Sequence, residues 1–415
     1  MNRKDDWMHI TWLEMKKVLL SPVILVLLIL MIVFNIFTIF NESFNNEELL
    51  IVNEIIETYG QAFDDEILQT MEQDIDKMVI LLGGTNTQNF LDEMTYGKYE
   101  QASTKERQQI DHIRLLYTYI QAAKGLEARY IAININQLKD DFVKEESMPS
   151  WLEKQMTNEF DNWQARFDEI VATNEYKQWF FLGEYHMHSG LFRSLMKNLA
   201  FEGVLLIVLL TALITNYEFE NRTQLVTYAT KIGRRLIWHK RMASLVCSLI
   251  IIGILFGVSL ATYFVVNDYS AVWQTYISSG LNWESNLPYI TWWAIPLWQY
   301  LLIVISILIV VLLIISMLTF AISVFVKNSY FTWLICVLAL MAIYVVPFYF
   351  TNSTLLWLMY FNITLLLLNP HMYFSGGTTF MMSQYHEVWT VLLWLFLASI
   401  GSFGSIRYFN RKDVI

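Results

Sequence analysis

The sequence predicts an all-α polytopic membrane protein, with six transmembrane helices and a large, mostly helical extracytoplasmic domain between helices 1 and 2. Three observations predict it. Hydrophobic residues make up 55% of the 415 positions, more than a soluble core of this size can hide. Six nearly unbroken apolar runs, 18–40, 199–215, 244–266, 301–326, 331–350 and 388–408, approach or exceed the roughly 20 residues that cross about 30 Å of hydrocarbon. Outside residues 41–198, every Lys and Arg falls at the start, in the connector after the second run, at Lys327 or near the end. Basic residues favour the cytosolic face, so six crossings with both termini in the cytosol place all of these inside.

The elements follow in order. Residues 1–17 are expected to form a cytosolic interfacial helix: Trp7, Met8, Ile10 and Met15 share one arc, Asp5, His9 and Lys16 lie opposite, and Glu14 intrudes on the apolar side. The run 18–40 is too long for a signal-peptide core and lacks a small-residue cleavage site, so it is expected to stay as an anchor.

Residues 41–198 carry 28 acidic and 14 basic side chains and alone account for the negative net charge. Long domains translocate largely regardless of charge, and nothing in the chain looks like a nucleic-acid surface. Ser103-Thr-Lys-Glu106 reads as a capping box opening a helix with the stripe Ile113, Leu116, Ile120, Ala123, Tyr130 and Ile133. A second box, Ser150-Trp-Leu-Glu153, is expected to open a helix striped by Leu152, Met156, Phe160, Trp163, Phe167 and Ile170, and Gly83-Gly84 to break the earlier helices.

Residues 199–415 hold the remaining spans, a charged cytosolic segment at 216–243 and, at 354–370, an apolar piece too short to span. That piece is expected to be re-entrant or surface-lying and to end at Asn369-Pro370; a crossing there would leave Arg407, Arg411 and Lys412 outside. Tyr289, Trp292, Trp293, Trp298 and Tyr300 suit rings at the headgroup level. Cys247 and Cys336 read as packing residues, and the insert, with no cysteine, relies on packing rather than disulfides.

Motifs for chemistry are missing. There is no phosphate-cradling G-x-x-x-x-G-K-[ST], no H-E-x-x-H and no G-x-S-x-G, so no cofactor and no enzymatic role is expected. Glu184, His186 and His188 are the best metal-like cluster, ahead of His371, His386 and Glu387. Glu202 and Arg407 lie near the ends of their runs, within reach of the interface. The span middles offer only weak polar groups, among them Asn35, Thr211, Thr215 and Ser248 as pathway candidates, with Ser306 and Ser316. Ion-coupled carriers bury charge mid-membrane; without it, and without an ATPase, work must come from another protein.

Several features fall in a recognisable order: Glu14-x-Lys16-Lys17 running into the first span, Glu218 and Glu220 leaving the second, then Ala229-Thr-Lys231-Ile232-Gly233-Arg234-Arg235, Lys240 before the third, Asn369-Pro370, and a close of Arg407 through Asp413. In this order they resemble the permease subunits of ABC transporters of the type-2 exporter family. The resemblance implies a coupling helix within 216–243 that docks on a separate ATP-binding subunit. Its contacts would come from Glu218, Glu220, Gln224, Leu225, Tyr228, Lys231, Gly233, Arg234, Arg235, Trp238 and Lys240, with Val226, Leu236 and Ile237 as further exposed apolar residues. It also implies a second permease half, identical or paralogous, a bacterial plasma membrane, and export of an amphipathic or hydrophobic peptide, lipid or drug. The alternative is a non-transporting sensor or regulator, driven by the same kind of ATPase and acting through its outer domain.

Overall fold

The computed structural model describes residues 3–42, 46–145, 149–182, 190–230, 232–282, 289–345, 349, 361–376 and 383–411. Among these the chain is helical, and its only bridges are the isolated pairs Ala62 with Gln178, Tyr276 with Pro296 and Thr291 with Ser375. Among the described residues five helical segments are long and apolar enough to cross a membrane: Pro22–Asn41, Gly190–Glu220, Gly233–Val266, Leu297–Val326 and His386–Arg411. The protein is therefore a multi-pass helical membrane protein. The sixth expected crossing is Ser329–Val345, 17 residues, and part of its expected continuation lies outside the described residues.

Helix α1 (Arg3–Leu19) does not run on into the first span. Proline at position 22 cannot donate to a continuing helix and disfavours helical backbone before it. The chain therefore turns at Leu20-Ser21 and restarts as α2 (Pro22–Glu42). The buried side of α1 is Thr11, Glu14, Met15 and Val18, while Trp7 and Met8 of the expected apolar arc are exposed. Packing against the third span sets that face, and Glu14 belongs to it because it meets two lysines there.

The insert folds as α3 (Asn46–Tyr59), α4 (Asp65–Leu81), α5 (Thr87–Glu93), α6 (Tyr96–Gln101), α7 (Thr104–Ile131), α8 (Ile135–Glu145) and α9 (Ser150–Ala172). The Ser103–Glu106 capping box is formed in both directions, and Ile113, Leu116, Ile120, Ala123 and Tyr130 are buried. Ile133 falls beyond the end of α7 and is half-buried. The turn at Gly83 has φ +84, a backbone region where only glycine is unstrained. The second box does not form: Pro149 is the N-cap, and Ser150 is already helical and gives no cap hydrogen bond. Its stripe still holds, with Met156, Phe160, Trp163, Phe167 and Ile170 buried; the Leu152 side chain lies outside the described residues.

The spans continue with α10 (Met196–Glu220), entered through a π-helical turn at Gly190–Leu195, then α11 (Gln224–Tyr228) and α12 (Leu236–Val266). They end with α13 (Leu297–Val326), α14 (Ser329–Val345), α15 (Ile363–Leu368) and α16 (His386–Arg411). Helix α10 is the hub, packed on α12, α13 and α14. The described end of the 354–370 piece, α15, is buried against α10, α13, α14 and α16 rather than lying on the surface. Asn362 caps it, accepting from the Thr364 amide at 2.9 Å.

The aromatic connectors between spans are not a headgroup belt. Tyr289, Trp292 and Tyr300 are buried, and only Trp298 of the five expected rings is clearly exposed. They pack instead under the insert. Arg166 of α9 donates to the Thr291 carbonyl at 2.9 Å, and its guanidinium pairs with Glu175 at 2.6 Å. The Gly280 amide donates to the Tyr176 carbonyl at 2.9 Å, and Asn53 donates to the Asp268 carbonyl at 2.8 Å. A Cβ at Gly280 would come within 2.7 Å of Leu126, and one at Gly376 would overlap the Trp163 indole. Insert and connectors share one hydrophobic core with the spans.

Candidate functional site: the connector between the second and third spans

Opposite the insert, residues 221–235 join α10 to α12. The local chain explains their shape. Asn221, Arg222 and Thr223 end α10, and Arg222 adopts φ 57. Helix α11 is a single short turn. Thr230 closes the next turn by accepting from the Gly233 amide at 3.2 Å. Gly233 takes φ +49, and a Cβ there would sit 3.1 Å from the Tyr228 carbonyl, so a side chain is disfavoured at this turn. Lys231 lies outside the described residues.

The connector stands on a ring of four charges, of which Glu14, Glu218 and Lys240 are buried and Lys17 is half-buried. Lys17 of α1 reaches Glu14 at 2.5 Å and Glu218 of α10 at 2.8 Å. Lys240 of α12, fully buried, pairs with Glu14 at 3.2 Å and with Glu218, and donates to the Ile214 carbonyl at 2.5 Å. Each carboxylate serves both ammonium groups, so two positive and two negative charges balance where solvation is poor. Burial alone would lower the pKa of Lys17, but its hydrogen bonds to Glu14 and Glu218 outweigh that and raise it. A second tie between α1 and α12 runs from Thr11 Oγ1 to His239 Nδ1 at 3.0 Å.

This geometry divides the predicted contact residues. Glu218 and Lys240 are consumed inside the ring and present no side chain to a partner; Leu236 and Ile237, expected to be exposed, are buried. Glu220 accepts from the Ser329 amide at 2.6 Å and so holds the start of α14. Tyr228 lies between Phe219 and Phe409, with ring centroids 6.0 and 5.2 Å away. Burial, then the Glu218 and Glu14 carboxylates, push its phenol pKa up. Trp238 packs at a tilt against Phe403 of α16, and Arg234 donates to the Asn410 carbonyl at 2.6 Å. What remains as an outward surface is Leu225 at 64% exposure, Val226 at 75%, Ile232, Arg235 and the outer side of Trp238, with Gln224 half-buried beside them.

The pathway candidates lie elsewhere. Thr211 Oγ1 meets Ser316 Oγ at 2.9 Å, Ser248 donates to the same Ser316 at 3.3 Å, and Thr215 bonds back to the Thr211 carbonyl at 2.8 Å. They join α10, α12 and α13 from within and are buried. Asn35 is also fully buried; its amide donates to Glu202 at 2.7 Å and to Ser259 at 3.3 Å. Glu202 is therefore held inside the bundle and not at its rim, because its helical segment begins at Gly190, well before the apolar run. Of the weaker metal candidates, Glu387 accepts from the Phe374 amide at 2.7 Å, and burial, then Arg193 and Lys197, bring His371 down to about 4. Glu184, His186 and His188 lie outside the described residues.

Sequence reasoning missed Glu14 as an ion-pair member and His239 as the partner of Thr11. The signal for the first was present, since Glu14 and Lys17 are spaced i, i+3 and share one helix side. Comparison with family models, curated proteins and solved structures finds no match to this chain.

Proposed function

We propose that this chain is the membrane-spanning permease subunit of an ATP-driven ABC exporter in a bacterial plasma membrane, with both termini cytosolic. It binds no nucleotide itself; ATP is hydrolysed in a separate ATP-binding subunit, and a second permease half completes the pathway for an amphipathic or hydrophobic substrate. The observation that carries this reading is a short connector with an exposed apolar tip, Leu225 and Val226, mounted on a largely buried charge ring that ties it to α1, α10 and α12. Exposed leucine and valine flanked by arginine make a small docking patch. The ring passes a push on that patch to three helices together. ATP-driven closure of two such subunits then tilts the spans and opens a pathway outwards.

The alternative, a non-transporting regulator, draws on the insert being bonded to the far-side connector between α12 and α13 through Arg166, Gly280 and Asn53, because span motion would then reach it directly. Substrate-stimulated ATPase activity in the reconstituted complex favours export; ATPase activity that no substrate alters favours the regulator. The docking itself is tested with Leu225→Asp/Val226→Asp. Co-purification with a cognate ATP-binding subunit should be lost while the variant stays folded, and an intact, ATP-active complex overturns the reading.

A further inference from the structure

At the same end of the bundle, but on its flank, α12 and α16 both pack on α13 and meet through side chains near their connector-side ends. The floor between them is a small apolar cluster, Ile237, Phe320, Val324, Ile406 and Phe409. Above it stands a run of guanidinium and aromatic groups. Nearest the connector, Arg234 donates to the Asn410 carbonyl. Next, the Trp238 ring lies 5.7 Å from that of Phe403. Deepest, Arg241 sits 4.5 Å over the Phe403 ring and 5.9 Å from Trp238. Arg407, one helical turn from Phe403 on the same side of α16, is exposed, as is Arg411 beyond it.

None of Arg234, Arg235, Arg241, Arg407 and Arg411 makes an ion pair with an acidic side chain among the described residues. The neighbouring carboxylates are taken: Glu14 and Glu218 by Lys17 and Lys240, Glu220 by the amide of Ser329. Arg241 Nε is buried with no hydrogen-bond partner. Trp238 and Phe403 face outward, 38% and 52% exposed, Trp238 about one and a half helical turns from the segment end at Gly233 and Phe403 about two from that at Arg411. That is where interfacial tryptophan and long basic side chains sit, rings against acyl chains and charge toward the headgroups.

We infer that this cleft binds the phosphate of an anionic phospholipid from the connector-side leaflet, Arg241 and Arg407 holding the headgroup and Trp238 and Phe403 the upper acyl chain. Clusters of basic residues between membrane helices recognise anionic headgroups in this way, each contributing about 1 kcal/mol near the surface. The guanidinium is the better group because its planar fork matches a phosphate while its face stays on the ring. The inference uses α12 and α16 alone and requires no ATP-binding partner.

The test uses the full-length purified protein without partners, its thermal unfolding followed while phosphatidylglycerol, phosphatidylcholine or inorganic phosphate is titrated into detergent solution. Phosphatidylglycerol should raise the midpoint saturably, with phosphatidylcholine and free phosphate having little effect. The half-saturating lipid concentration should rise about fivefold in Arg241→Ala and again in Arg407→Ala, as loss of about 1 kcal/mol per arginine requires. Arg407 is exposed and its variant folds even where Arg241→Ala does not. An unchanged lipid response in Arg407→Ala overturns the inference. So does an equal response to phosphatidylcholine, or a response to inorganic phosphate that matches the lipid.

Discussion

At the connector end of the bundle two lysines and two glutamates from α1, α10 and α12 close a ring, whereas at the insert end one arginine, Arg166, is spent on Glu175, Glu169 and a backbone carbonyl. Both sites bury charge, but they distribute it differently. In the ring every ion has two opposite neighbours, so no single contact defines it and three helices move together. At Arg166 one side chain holds α9 against the connector before α13, so its loss separates two parts and leaves each intact. The ring is a joint; Arg166 is a rivet. A connector that transmits force to several spans needs the first, and a domain seated on its support needs the second.

The comparison can be broken most severely at Lys240. Lys240→Met leaves Glu14 and Glu218 buried against Lys17 alone, and should cost about 3–5 kcal/mol in unfolding free energy. The double variant Lys240→Met/Glu218→Gln should cost less than the two single changes together, measured by thermal unfolding in nanodiscs; strict additivity would deny that the ring is one unit. Arg166→Met should destabilise by about 3 kcal/mol, with new protease cleavage confined to α9 and the 267–296 connector. Cleavage at the connector end instead would contradict its local role. Gly376→Ala, which forces a methyl into the Trp163 indole, should cost about 1–3 kcal/mol by the same unfolding assay. Thr211→Val removes one hydrogen bond between helices and should cost about 0.6 kcal/mol, with transport of any identified substrate unchanged.

A pH series sharpens the ring further. The folded-state pKa of Lys17 lies above its ordinary 10.5, so its stabilisation is fully present below 10.5 and is lost as pH rises through the higher folded value. The gap in unfolding midpoint between the protein and Lys17→Met should hold steady up to that point and close above it. A gap that closes on acidification would instead identify the carboxylates as the limiting partners.

Much of the fold is legible without coordinates because a bilayer asks so little of a sequence. A run such as 301–326 declares itself by composition, and the Ser103–Glu106 box by two residues satisfying end amides. The helix break at Gly83 is written by glycine, whereas the break after Leu19 that Pro22 imposes is hidden inside a run that reads as one span from residue 18. The site is less legible. Leu225 and Val226 were expected to be exposed and are, but Glu218, Leu236, Ile237 and Lys240 have the same look in the sequence and are buried. Charge near a span end does not say whether it faces water or another charge, and Trp292 or Tyr300 fits an interfacial ring as well as a core ring.

The chain alone determines that it is helical, multi-pass and divided into spans and an acidic helical insert, since these rest on local composition, periodicity and capping. Tertiary structure alone decides that Glu14 meets Lys240 across 226 positions of chain, that Glu202 turns inward to Asn35, and that the insert is bonded to connectors far from it in sequence. The physical reason is that burial and ion pairing are properties of pairs of surfaces, and no one segment carries the information about which surface it will meet.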